Sequence, residues 1–174
     1  MQLDLGRNHF ELFGLRERFE LDVADLAARY RDLQRRFHPD KFAGASDQEQ
    51  RLALAVTAQI NEAYQTLKDP LRRGRYLLGL RGVDTDDETD TRMDPAFLVE
   101  QMEIREGLDE ARAAPDAAAR LAALRRDLQE RLDGRIAALA TLFNQDSDDA
   151  RRKARDILRE TQFLKKLALQ LDED

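Results

Sequence analysis

The stretch Asp22-Val23-Ala24-Asp25-Leu26-Ala27-Ala28-Arg29-Tyr30-Arg31-Asp32-Leu33-Gln34-Arg35-Arg36-Phe37-His38-Pro39-Asp40-Lys41-Phe42 contains a helix and the reason that it stops. Val23, Leu26, Ala27, Tyr30, Leu33 and Phe37 recur at i, i+3, i+4 and i+7, the spacing that lays one apolar stripe along an α-helix. Asp22 is the expected N-cap, its carboxylate accepting the free amides of the first turn. Pro39 ends the helix, because the residue before a proline is pushed out of the α region. A histidine, a fixed turn, a carboxylate and a cation are thereby left at the helix end.

The flanking segments read as helices too. Ser46-Asp47-Gln48-Glu49 is a capping box, followed by the stripe Leu52, Val56, Ile60, Ala63, Tyr64 and Leu67, which predicts an antiparallel partner joined to the first helix by residues 38–45. A short helix is expected around Phe10 to Phe13, ending near Gly14. Another starts at Asp69-Pro70, with aspartate as cap and proline at the first helical position, and stops near Gly79.

Residues 82–93 hold five acids and little that could be buried, so they read as a solvated boundary. Beyond it, three helices are expected, roughly Asp94 to Ala113, Asp116 to Phe143 and Asp146 to Leu171, each with an acidic capping candidate. Short connections make a three-helix bundle the economical arrangement. The expected organisation is therefore residues 1–81, an acidic linker 82–93, and residues 94–174, all-α throughout. The composition agrees: 37% charged residues with eight glycines and four prolines suit amphipathic helices better than sheets.

Charge and composition exclude several classes of function. A net charge of −6 lacks the positive field that non-specific nucleic-acid binding needs, so no nucleic-acid partner is expected. No stretch approaches the roughly 18 apolar residues of a membrane span, and no basic segment followed by an apolar run opens the chain, so neither membrane nor leader is expected. Without cysteine there is no disulfide, thiolate metal site or iron–sulfur ligand; no cofactor and no metal are expected. The net charge runs from +2 in residues 1–81 to −4 in residues 82–93 and −4 in residues 94–174.

An enzymatic reading of His38 fails for want of company. A general base needs a nucleophile or metal and an orienting group, yet the chain has two histidines, no cysteine and no serine nearby. His9 has no evident partner. Arg31 and Arg35 lie one turn apart on the side of the helix away from the apolar stripe, Arg29 and Arg36 flank them, and Lys41 extends the basic patch into the loop, interrupted locally by Asp32. Such a face suits electrostatic docking to an acidic groove.

His38-Pro39-Asp40-Lys41, together with Phe10-Glu11-Leu12-Phe13-Gly14-Leu15, Leu33, Phe37 and Ile60-Asn61-Glu62-Ala63-Tyr64-Gln65-Thr66-Leu67, resembles the J-domain family of co-chaperones from about Phe10 to Leu80. The resemblance implies that His38, Pro39, Asp40, Lys41 and the basic face of Arg29, Arg31, Arg35 and Arg36 dock on a DnaK/HscA-class chaperone and trigger ATP hydrolysis there.

At about 100° per residue, Phe97, Ile104, Leu108 and Ala111 cluster on one side of the helix from Phe97 to Glu110, with Gln101 at the edge. Leu98, Val99 and Met102 fall on another side beside Glu103 and Glu106, a second stripe that should be exposed and that mixes an apolar centre with an acidic rim. In the last helix, Ala150, Ala154, Ile157, Thr161, Leu164, Ala168 and Leu171 form the expected core stripe, leaving Phe163 off that face and exposed. These residues, with Gln162-Phe163-Leu164-Lys165-Lys166-Leu167, sharpen the resemblance to the HscB type. It implies that Leu98, Val99, Met102, Glu103, Glu106 and Phe163 bind an IscU-type iron–sulfur scaffold, with Val99 offering less apolar area than a larger residue would. It also implies a bacterial cytoplasmic adaptor, expected to be a monomer, with no chemistry of its own. Two other readings stay open on the residues: a J-protein for a different client, and a structural helical protein whose His-Pro-Asp turn is incidental.

Overall fold

The computed structural model describes residues 6–85, 94–145 and 147–172; the acidic residues 86–93 and the cap expected at Asp146 lie outside the described residues. Among the described residues there are seven α-helices and no strand: α1 (His9–Leu12), α2 (Val23–Phe37), α3 (Asp47–Lys68), α4 (Pro70–Leu80), α5 (Pro95–Ala113), α6 (Ala117–Phe143) and α7 (Asp148–Asp172), with a 3₁₀ turn at Pro39–Phe42 after α2. This is the all-α arrangement that the periodicities predict.

Local chemistry sets most boundaries. Asp22 accepts the amides of Ala24 and Asp25, and Ser46 and Glu49 close a reciprocal capping box at the start of α3. Asn8 and Glu11 close another on α1. Asp69 accepts the amides of Leu71 (2.9 Å) and Arg72 (3.0 Å), and Asp94 that of Ala96 (2.8 Å). Asp116 makes no capping bond, since its carboxylate takes Arg120 at 2.9 Å instead. At α7 the amide of Ala150 donates to Ser147 Oγ (3.2 Å).

Two helices end on glycines with left-handed backbone. Gly14 (φ 62°) and Gly82 (φ 75°) each donate to the second-last residue of the preceding helix, Glu11 and Gly79, while Leu15 and Val83 reach back to Phe10 and Leu78. Both are paired terminal bonds of the Schellman type, which ask for φ > 0 at this position and so for glycine. The helix α4 therefore continues past Gly79 to Leu80 before turning.

The chain divides into two compact units between Leu77 and Leu78. Within the second unit Arg81 donates to the carbonyl of Phe143 at 3.3 Å and stacks its guanidinium 5.4 Å from that ring.

In the first unit α2 and α3 pack together, with α1 against α3. Phe10, Leu26, Ile60, Ala63 and Leu67 are fully buried, each large side chain contributing about 1.5–3 kcal/mol of hydrophobic stabilisation. The buried stripe of α3 runs back from Val56 to Ala53, not to Leu52, which lies about 100° off the contact line and is exposed. In the second unit α6 packs along both α5 and α7. Phe97, Ile104 and Leu108 meet Leu128 and Leu132 of α6 and Leu164, Leu167 and Leu171 of α7 in one core. On α7 Leu158 and Leu167 are buried along with Ala150, Ala154, Thr161, Leu164 and Leu171, whereas Ile157 and Ala168 are half-buried beside them.

Candidate functional site

The first candidate surface grows out of the end of α2. Pro39 has no N–H to continue the helical ladder. The amide of Asp40 instead donates to His38 Nδ1 (3.3 Å), and that of Lys41 to the His38 carbonyl (3.0 Å). The chain tightens into the 3₁₀ turn, none of whose residues is buried. The side chains of His38 and Asp40 are 55% and 88% exposed, with His38 Nδ1 also 3.4 Å from Asp40 Oδ2. Both point to solvent, and Nδ1 is occupied within the loop.

Arg31, Gln34, Arg35, His38, Asp40 and Lys41 border one open concavity with Ala28. Three cations, one carboxylate, an imidazole and an amide thus share a surface on one unit. Gln34 was invisible as a site residue in the sequence. Its amide donates to Tyr30 Oη and, at 3.3 Å, to Asn61 Oδ1, and Tyr30 Oη donates to Asn61 at 3.0 Å. Tyr30 also stacks on Tyr64, ring centroids 4.0 Å apart, so this polar cluster cross-links α2 to α3.

Arg29 and Arg36 do not border the concavity. Arg29 donates to the carbonyls of Phe13 (3.0 Å) and Gly14 (3.3 Å) and pairs with Asp25 at 2.9 Å. Its guanidinium satisfies the end of α1, a structural task that helical spacing alone could not reveal. Arg36 lies 3.6 Å from Asp32 and 5.8 Å from the Phe37 ring centroid, and Arg35 pairs with the same aspartate at 3.5 Å.

His9, partnerless in the sequence, stacks on Tyr76 at 4.2 Å and its amide donates to Tyr76 Oη (2.9 Å). Burial pushes its pKa below the ordinary histidine value, against the opposing pull of Glu62.

The second candidate surface is the outer face of α5. Phe97, Gln101, Ile104, Leu108 and Ala111 are buried, as the periodicity predicts, while Leu98, Val99 and Met102 are 46%, 54% and 61% exposed. Glu103 and Glu106 are exposed beside them. Phe163 is half-buried rather than exposed. It meets Phe97 edge-on at 5.9 Å and carries Arg105 5.6 Å from its ring centroid, because the core of the bundle reaches further round α7 than one heptad stripe.

Behind that face, Glu100 accepts from Arg131 (2.8 Å) and from Arg135, and Arg135 lies 3.5 Å from Glu160. The Arg135 guanidinium is 5.5 Å from the Phe97 ring centroid. Burial raises the Glu100 pKa, but hydrogen bonds and charge from Arg135 and Arg131 outweigh it and hold the carboxyl below the ordinary glutamate value. Burial raises Glu160, only partly offset by Arg135, and the charges of Glu100 and Asp94 push the same way.

Among the described residues no cluster of three or more His, Asp or Glu side chains could hold a metal ion, and no helix is long and apolar enough to cross a membrane. The geometry offers two exposed candidate surfaces, one on each unit.

Two family models match the chain: the DnaJ domain over residues 8–76 and the HSCB C-terminal oligomerisation domain over residues 93–172. A co-chaperone protein HscB homolog from Paraburkholderia phymatum is 44% identical over 167 residues, covering 96% of this chain and 93% of its own. The solved chaperone HscB from Vibrio cholerae is 42% identical with a TM-score of 0.86, covering 96% of each chain. The crystal structure of human co-chaperone protein HscB is 32% identical with a TM-score of 0.88, covering 98% of this chain and 83% of the human one.

Proposed function

The chain belongs to the HscB family of J-domain co-chaperones, and from that membership we propose that it presents His38-Pro39-Asp40 to a DnaK/HscA-class chaperone while α5 carries an IscU-type iron–sulfur scaffold. The chain is a co-chaperone whose partner is an Hsp70-type chaperone, and it needs no chemistry of its own. The observation that carries the trigger role is the outward exposure of His38 and Asp40 on one concavity with Arg31, Arg35 and Lys41. Opposite charge on the chaperone would steer the encounter, and the short loop would deliver the imidazole and carboxylate to the ATPase machinery. Because Nδ1 is engaged within the loop, Nε2 is the ring nitrogen left for the chaperone.

Leu98, Val99 and Met102 supply the apolar centre of the client surface, and Glu103 and Glu106 its rim. Phe163, half-buried, contributes through the part of its surface left exposed. A bacterial cytoplasmic setting is consistent with this role.

Single-turnover ATP hydrolysis by the chaperone, with and without the full chain, tests the reading. Wild type should accelerate hydrolysis, and His38→Gln should abolish the acceleration while scaffold binding measured by calorimetry is kept. Equal acceleration by His38→Gln removes the trigger role. Normal acceleration with no scaffold binding points to a J-protein for another client.

A further inference from the structure

The 3₁₀ turn that follows His38 and carries Asp40 has no fully buried residue, only Pro39 and Phe42 being half-buried, so polar contacts can decide its orientation. Two polar side chains of α3 hold its ends. At the entry, Thr57 Oγ1 lies 3.1 Å from the carbonyl of Phe37, sharing its hydrogen with the Ala53 carbonyl at 2.8 Å. At the exit, Gln50 Nε2 donates to the carbonyls of Ala43 (3.2 Å) and Ala45 (3.0 Å).

The entry contact follows from the way α2 stops. The helical donor to the Phe37 carbonyl would be the amide of Lys41, which is taken by His38. Thr57 supplies the donor instead. The Phe37 carbonyl belongs to the planar peptide from which His38 hangs, so holding that oxygen sets the plane in which the imidazole leaves the backbone. Gln50 and Thr57 are seven residues apart, two helical turns on the same face and about 10 Å along the axis, enough to span the loop.

We infer that Thr57 and Gln50 are positioning residues for ATPase stimulation, a two-point clamp on α3 that fixes the orientation in which His38 and Asp40 meet the chaperone. The inference rests on the loop being the trigger. Neither residue borders the concavity, so each acts through the loop and not by contact. Removing the clamp leaves the basic face of α2 able to dock but lets the loop sample unproductive orientations.

The test uses the full chain and a DnaK/HscA-class chaperone in single-turnover hydrolysis, titrated to saturation. Thr57→Val, which keeps shape and removes the hydroxyl, should lower the saturating stimulation about 3- to 10-fold, the worth of one hydrogen bond. The half-saturating concentration should stay within about twofold, and Thr57→Ser should restore stimulation. In the free chain the amides of Asp40 and Lys41 should exchange faster in Thr57→Val, with those of Leu26 and Ile60 unchanged as proof of a folded core. Gln50→Met, a more superficial change, should lower saturating stimulation in the same direction. Full stimulation by Thr57→Val at saturation, or failure of the serine to rescue it, overturns the clamp. If wild type itself fails to stimulate, or His38→Gln stimulates as well as wild type, the trigger reading has failed and not the clamp.

Discussion

Arg29 and Arg31 are near neighbours on α2 and of one residue type, yet the fold gives them different work. The Arg29 guanidinium closes the end of α1 through two carbonyls and an aspartate. Arg31 borders the concavity beside His38. Arg29→Ala should therefore cost about 1 kcal/mol of stability in urea denaturation, discounted for its exposure, with saturating ATPase stimulation kept. Arg31→Ala and Arg35→Ala should leave stability within about 0.5 kcal/mol but raise the half-saturating concentration, the more so at low salt. A shared loss of stability across all three would mean that the concavity is a scaffold feature. Helical spacing places four arginines near one another, but the bonding of Arg29 depends on carbonyls 15 and 16 residues away, which no local period encodes. The same holds for Gln34, whose role appears only once Asn61 of α3 lies beside it.

At the level of elements, α5 is the clearest case of one helix with two faces. The buried set and the exposed set follow from 100° per residue alone, because a long regular helix against one core obeys its own period. Leu98→Ala and Met102→Ala should each cost roughly 1–4 kcal/mol of scaffold binding in calorimetry, with little change in stability since both are about half exposed. Phe163→Ala should weaken binding and stability together, the latter by about 2 kcal/mol, because its ring also packs edge-on against Phe97. Stability equal to wild type in Phe163→Ala would contradict the packing of its ring on Phe97. The helix α7 was less legible for a physical reason. It buries a band wider than a heptad line, so Leu158 and Leu167 enter the core where Ile157 and Ala168 were expected. On α3 the same uncertainty of one residue separates Ala53 from Leu52.

On the scale of the whole molecule, Arg81 reaches a carbonyl 62 residues away within the second unit, a link that no local pattern encodes. Electrostatics inside the second unit set how it responds to acid. Glu100, with its pKa held below the ordinary value, contributes stability that is present above that value and lost as pH falls through the lowered one. Glu160, with its pKa raised, works in reverse: its contribution is present below the ordinary value and lost as pH rises through the raised one. The two glutamates share Arg135, so neutral isosteres should separate them by sign. At about pH 7, Glu100→Gln should destabilise by about 1–3 kcal/mol, since it replaces the carboxylate shared by Arg131 and Arg135 with a neutral amide that has one accepting oxygen. Glu160→Gln should be neutral or slightly stabilising there, despite the arginine 3.5 Å away. Repeating urea denaturation at about pH 4 should shrink the deficit of Glu100→Gln, because there the carboxyl takes up a proton in the unfolded chain more than in the native one, which lowers wild-type stability. A loss from Glu160→Gln equal to that from Glu100→Gln would mean that Arg135 outweighs burial at both carboxylates, and that the network acts as one ionised unit tying α5, α6 and α7 together.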